Sequence, residues 1–244
     1  MKSLKITTRD IAYTAVFAAL SVIVCNVVPG IPIIGGSGSI KFDAALAPIY
    51  GLLIGPYLGA LAALVGGLVA AGGYLSILTS FCTAISAFVA GTLTQKNHEL
   101  RGHKINGWII AFSIILLLVL GWYITWVGKE IPLYPILHFI GLMITLTSRG
   151  WIAEKFLDKK ILPVGIAVCL SSYCGIISDH MLGNLIYIIH FPELNWPPIF
   201  MSVLPISAVE RVLLTVIATV IGVSLVFALR KATLFPRQLQ RETS

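Results

Sequence analysis

Apolar runs follow one another along almost the whole chain, separated by short polar breaks that carry most of the charge. Read for such runs, the sequence predicts helices over residues 10–28, 42–55, 57–72, 75–95, 107–127, 133–151, 162–190 and 204–230. Most approach the roughly 20 residues that a helix needs to cross a ~30 Å hydrocarbon core. The second and third are ambiguous, because residues 42–72 form either one long helix or a hairpin turning at Gly55-Pro56. Proline removes a backbone donor and collides with the preceding turn, so a break there costs little.

Basic residues decide between the two. They cluster as Lys2, Lys5 and Arg9; as Lys96, Arg101 and Lys104; as Arg149, Lys155, Lys159 and Lys160; and as Arg230, Lys231, Arg237 and Arg241. The stretches 29–41, 128–132 and 191–203 hold only Lys41 and Lys129. If the basic loops share the cytoplasmic side, an even number of crossings separates each cluster from the next, which requires the hairpin. The expectation is an all-α polytopic membrane bundle of about eight spans, both termini cytoplasmic, built as a single domain over residues 1–244. The 42–55 segment is short for a span and relies on little tilt or on neighbours covering its ends. The stretch from Pro29 to Ser39 mixes Ile31, Ile33 and Ile34 with a Gly/Ser turn. It is either a flexible external connector or a small hairpin folding over an external cavity as a lid.

Composition agrees with lipid as the solvent: 57% of residues are hydrophobic and 11% charged, with a mean hydropathy of +0.94. A soluble domain could not hide so much apolar surface. The net charge of +7 is dispersed between apolar blocks rather than gathered in a nucleic-acid-binding stripe. Cys25, Cys82, Cys169 and Cys174 lie within apolar blocks and read as core packing, so neither a metal nor a cofactor is expected. The run from Ile11 to Val28 is longer than a signal core and lacks a small-residue cleavage pattern, and it reads as a permanent span. No G-x-x-x-x-G-K-[ST] loop is present, so the chain is not itself an ATPase. H-E-x-x-H and G-x-S-x-G are also missing.

Ionisable groups at mid-membrane cost about 2.5–3.5 kcal/mol each on insertion scales, so each needs a reason. His180, Asn184 and Tyr187 share one helical face at i, i+4 and i+7, with Asp179 about 100° away. They either line a polar cavity or lock helices together through hydrogen bonds. Glu210 and Arg211 follow Pro205, taken as the opening of the last helix, and serve a ligand or an ion pair to another helix. Lys41 and Asp43 flank the mouth of the second helix, where Asp43 suits an N-terminal capping role. Tyr74, Trp122, Trp126 and Trp196 either stack on a ligand or form an interfacial belt, and His138 is a weaker cavity candidate. Together these place a cavity in the outer half, between the 29–41 loop and the helices over 75–95, 162–190 and 204–230. Its expected binding residues are Lys41, Tyr74, Asp179, His180, Asn184, Tyr187, Glu210 and Arg211. Small residues appear in two ladders: Ala12, Ala15 and Ala19 on the first helix, and Gly51, Gly55, Gly59, Ala63, Gly67 and Ala71. The second favours tight internal packing, whereas the first equally suits docking of a separate subunit.

The segment Arg9-Asp10-Ile11-Ala12 through Ala15-Val16-Phe17-Ala18-Ala19-Leu20 resembles the first helix of substrate-binding S components of energy-coupling factor (ECF) transporters, including an A-x-x-x-A element at Ala15 and Ala19. Lys41-Phe42-Asp43, Pro48 and the run Gly51 to Gly59 are similar to that family's second helix, Gly-Pro turn and third helix. The likeness is best over residues 1–95. It implies a multi-pass cell-membrane protein that captures a vitamin-like solute from outside and docks through its alanine face on a scaffold subunit driven by two ATPases. Such proteins usually have six helices, so residues 107–160 stand as a possible added pair. Two rival readings are an intramembrane enzyme using Asp179, His180 and Glu210, and a stand-alone secondary transporter.

Overall fold

The computed structural model of the chain describes residues 7–28, 31–32, 39–40, 42–100 and 103–232. Helix α1 (Thr8–Val27) starts with a reciprocal capping box, in which Thr7 Oγ1 accepts from the Asp10 amide and the Asp10 carboxylate accepts from the Thr7 amide. Strands β1 (Ile31–Pro32) and β2 (Ser39–Ile40) then pair antiparallel, Ile31 opposite Ile40. This pairing is the strand contact that the hairpin reading requires; the tip, on which its role as a lid depends, lies outside the described residues.

Helices α2 (Asp43–Ile54) and α3 (Pro56–Val69) meet at Gly55, whose φ of 86° suits glycine. A Cβ on Gly59 would lie 2.5 Å from the backbone nitrogen of Gly51. Eight residues of straight helix would separate those atoms by about 12 Å, so the chain reverses at Gly55-Pro56. Helix α4 (Tyr74–Leu93) closes on the same spot, since a Cβ on Gly51 would lie 1.8 Å from the Ala87 carbonyl oxygen. The second small-residue ladder is therefore internal packing at Gly51 and Gly59. Every residue of α2 is buried, and α1, α3, α4 and two later helices, α9 and α10, enclose it.

A second antiparallel hairpin, β3 (Asn97–Leu100) and β4 (His103–Asn106), occupies what the sequence offers only as a basic loop. Strands of four residues are too short to declare a period. The run predicted as 107–127 is divided into α5 (Gly107–Ile124) and the short α6 (Trp126–Glu130), because Thr125 turns extended and its hydroxyl caps α6 through the Gly128 amide. The expected 133–151 span is shortened to α7 (Ile136–Ser148), which ends at Arg149 with φ 43°, and α8 (Trp151–Phe156) forms in the stretch expected as a basic loop. Helix α9 (Ile161–His190) follows the expected span. Helix α10 (Trp196–Lys231) starts eight residues before the predicted 204, inside the stretch expected to be an external loop. Pro197 and Pro198 sit in its first turn, where missing amide donors cost nothing, so Pro205 is internal rather than the opening residue.

Among the described residues five helices, α1, α4, α5, α9 and α10, are long and apolar enough to cross a membrane, and α2, α3 and α7 are shorter apolar helices. α5 and α7 pack on each other and on α9, outside the group around α2. Large apolar side chains such as Val16, Leu117, Val212 and Val220 point outward, as lipid-facing positions should.

Candidate functional site

Asp43, Asp179, His180, Glu210 and Arg211 line a cavity of about 360 Å³. Its walls are the first half of α4, the second half of α9 and the first half of α10, closed by the start of α2 and the ends of α1 and α3. This is the trio of helices named from the sequence. From α9 come Asp179, His180, Gly183, Asn184 and Tyr187; from α10 come Phe200, Ser207, Glu210 and Arg211. Six of the eight expected binding residues thus line the cavity. Tyr74 does not: it is 65% exposed and its ring lies 5.5 Å from that of His190. Lys41 lies outside the described residues.

One hydrogen-bonded group organises the α9–α10 wall. Asn184 Nδ2 donates to the Tyr134 hydroxyl (3.2 Å), and the Tyr134 and Ser207 hydroxyls approach His180 Nε2 at 3.4 and 3.0 Å. A ring whose Nε2 accepts from these hydroxyls carries its proton on Nδ1, and that atom is buried without a hydrogen-bond partner. His138 lies behind the wall rather than in it, buried and stacked on His180 with ring centroids 5.5 Å apart. Glu210 and Arg211 pair with each other at 3.6 Å within α10, not with another helix as the sequence allowed. Arg211 is 8% exposed and its Nε is buried without a hydrogen-bond partner. The Asp179 carboxylate has neither a hydrogen bond nor an ion pair among the described residues.

Several lining groups escape a reading of the sequence. Asp43 is the first residue of α2, but no side chain caps that helix. Its carboxylate instead accepts from Ser21 Oγ (2.9 Å) and the Tyr50 hydroxyl (3.4 Å), which corrects the capping role expected for it. Tyr134 lies between helices and stacks on Trp122 at 4.6 Å, with Phe200 edge-on to both. Trp122 and Trp196 are buried in this aromatic cluster rather than forming an interfacial belt, whereas Trp126 is exposed. On α4, Ser76, Thr79, Ser80 and Thr83 form a hydroxyl stripe along the wall. The i, i+3, i+4, i+7 spacing of these four was the signal available.

Outside the cavity, Ala12, Ala15 and Ala19 are all exposed, while α1 turns Ala18, Ser21 and Val24 inward. Among the described residues no group of three or more His, Cys, Asp or Glu is placed to hold a metal ion.

Residues 5–148, more than half of the chain, match the family described as ECF-type riboflavin transporter, S component. The chain belongs to this family of S components. S components are membrane-embedded transporter subunits rather than enzymes, so the family gives no support to the catalytic reading of Asp179, His180 and Glu210. The chain is also similar to an uncharacterized protein of Methanocaldococcus jannaschii, at 25% identity over 191 residues. That alignment covers 75% of this S component and 60% of the relative, so the chain spans less than two thirds of the relative's length. No solved structure matches it.

Proposed function

We propose that this S component captures a vitamin-like solute from outside in the cavity between α4, α9 and α10, and delivers it through a scaffold subunit driven by two ATPases. One observation carries the reading: charged and hydrogen-bonding groups converge on a roomy cavity inside a bundle whose outer surface is apolar. Polar groups at that depth are costly, and a solute that shares their hydrogen bonds gives them a purpose. Asp179, His180, Asn184, Tyr187, Glu210 and Arg211 are the proposed contacts, with Asp43 and Tyr134 added. Lys41 belongs to the proposal from sequence alone. Riboflavin is suggested only by the description of the family.

The exposed face of Ala12, Ala15 and Ala19 supports docking on the scaffold, because alanine lets a partner helix approach closely. Residues 107–160 are proposed as an addition to a six-helix core made of α1, α2, α3, α4, α9 and α10, in keeping with the peripheral packing of α5 and α7. The test is co-purification with candidate scaffold and ATPase subunits, using the native chain and the Ala15→Trp and Ala19→Trp variants. Each bulky variant is expected to abolish assembly while the cavity still binds solute. Normal transport by both would overturn the docking claim.

A further inference from the structure

The chemistry of the cavity wall goes beyond a generic solute site. Its described charged residues are three carboxylates, Asp43, Asp179 and Glu210, and one guanidinium, Arg211. Glu210 and Arg211 offset each other as neighbours. Asp43 is held by Ser21 and Tyr50. Asp179 has no such partner among the described residues. Three carboxylates thus face one guanidinium, and a carboxylate that no protein group hydrogen-bonds inside a membrane bundle is costly.

The hydroxyl stripe on α4 leans the same way. Thr79 and Ser80 donate to the Ser76 carbonyl at 3.2 and 2.8 Å, and Thr83 donates to the Ser80 carbonyl at 3.0 Å. With those hydrogens committed to the helix, the three oxygens offer the cavity lone pairs only. A wall of carboxylate and acceptor hydroxyls calls for a ligand rich in N–H or O–H donors. A neutral polyol would satisfy the hydroxyls but leave Asp179 without a cation in direct contact. Arg211, which lines the same cavity, supplies a guanidinium donor for an acceptor elsewhere on the same ligand.

We infer that the solute taken by this site carries a protonated nitrogen, seated against Asp179 and the α4 hydroxyls, and an acceptor group that meets Arg211. The inference rests on the substrate-binding reading above and names its chemical class. The test uses the full chain in lipid nanodiscs, with calorimetric titration of four probes: pyridoxamine and histamine as cations that carry a protonated amine, riboflavin as a neutral compound and pantothenate as an anion. At least one cationic probe is expected to bind about tenfold or more tightly than the other two classes. Asp179→Asn should remove at least about tenfold of that affinity, while Asp179→Glu, which restores the charge, keeps most of it. Size-exclusion profiles confirm that each variant folds. Preference for riboflavin or pantothenate, or cation affinity unchanged in a folded Asp179→Asn protein, overturns the inference. If no probe binds but the chain still assembles with scaffold and ATPases, the inference falls and the subunit reading stands. Failure of both binding and assembly overturns the subunit reading itself.

Discussion

Gly51 illustrates how much a single position can carry. A methyl group there would overlap the Ala87 carbonyl at 1.8 Å, and backbone atoms cannot swing aside as a side-chain end can. Gly51→Ala is therefore expected to cost about 2–3 kcal/mol or to block folding, read as a fall in thermal unfolding midpoint in detergent. Gly72→Ala, with nothing within 4 Å of the added carbon, is the control and should stay within about 0.5 kcal/mol. Ser207→Ala removes one hydroxyl from His180 Nε2 and should cost about 1 kcal/mol, measured in the same way. Spacing along one helix made Asp179, His180, Asn184 and Tyr187 legible, because neighbours on a face follow from the helical period. Asp43 was not legible as a wall residue. Its position suggests a cap, and its partner Ser21 on α1 becomes a neighbour only when the two helices pack, although Tyr50, seven residues on, shares its face of α2. Tyr134 was missed because it belongs to no helix face, and Phe200 because its helix starts earlier than the apolar run suggests.

Among the elements, the α2–α3 hairpin was decided from charge placement, and the close approach of Gly51 and Gly59 agrees with it. The start of α10 was misplaced because a Trp-Pro-Pro sequence reads as loop, yet prolines are tolerated where a helix has no amide partners to lose. Short helices and two-to-four-residue strands stayed invisible, since a period needs several repeats to register. The turn between α8 and α9 offers a prediction outside the membrane. Asp158 accepts the Lys160 amide at 2.9 Å, and this bond holds its carboxyl below the ordinary value of 3.8. A depressed folded value means that the contribution is present at neutral pH and is lost as pH falls through the lowered value. Carboxyl NMR of Asp158 should show a midpoint below that of an unstructured peptide, and a midpoint at or above it would remove the turn's role.

For the molecule as a whole, the proposed eight crossings would place every basic cluster on the cytoplasmic side. A Lys104→Cys variant, exposed on β4, should resist a membrane-impermeant maleimide in intact cells and react after permeabilisation. Labelling from outside would invert the assigned orientation. The enclosure of α2 also bears on how the chain is made. Twelve helical residues span about 18 Å, well short of the ~30 Å hydrocarbon core, and no residue of α2 is left to face lipid. When this segment leaves the ribosome, α1 alone of its five neighbours has been made, so it has no complete resting place of its own in the bilayer. Its insertion must wait for α3 and α4 to emerge and enter with it, which makes the order of synthesis part of how this protein finds its fold.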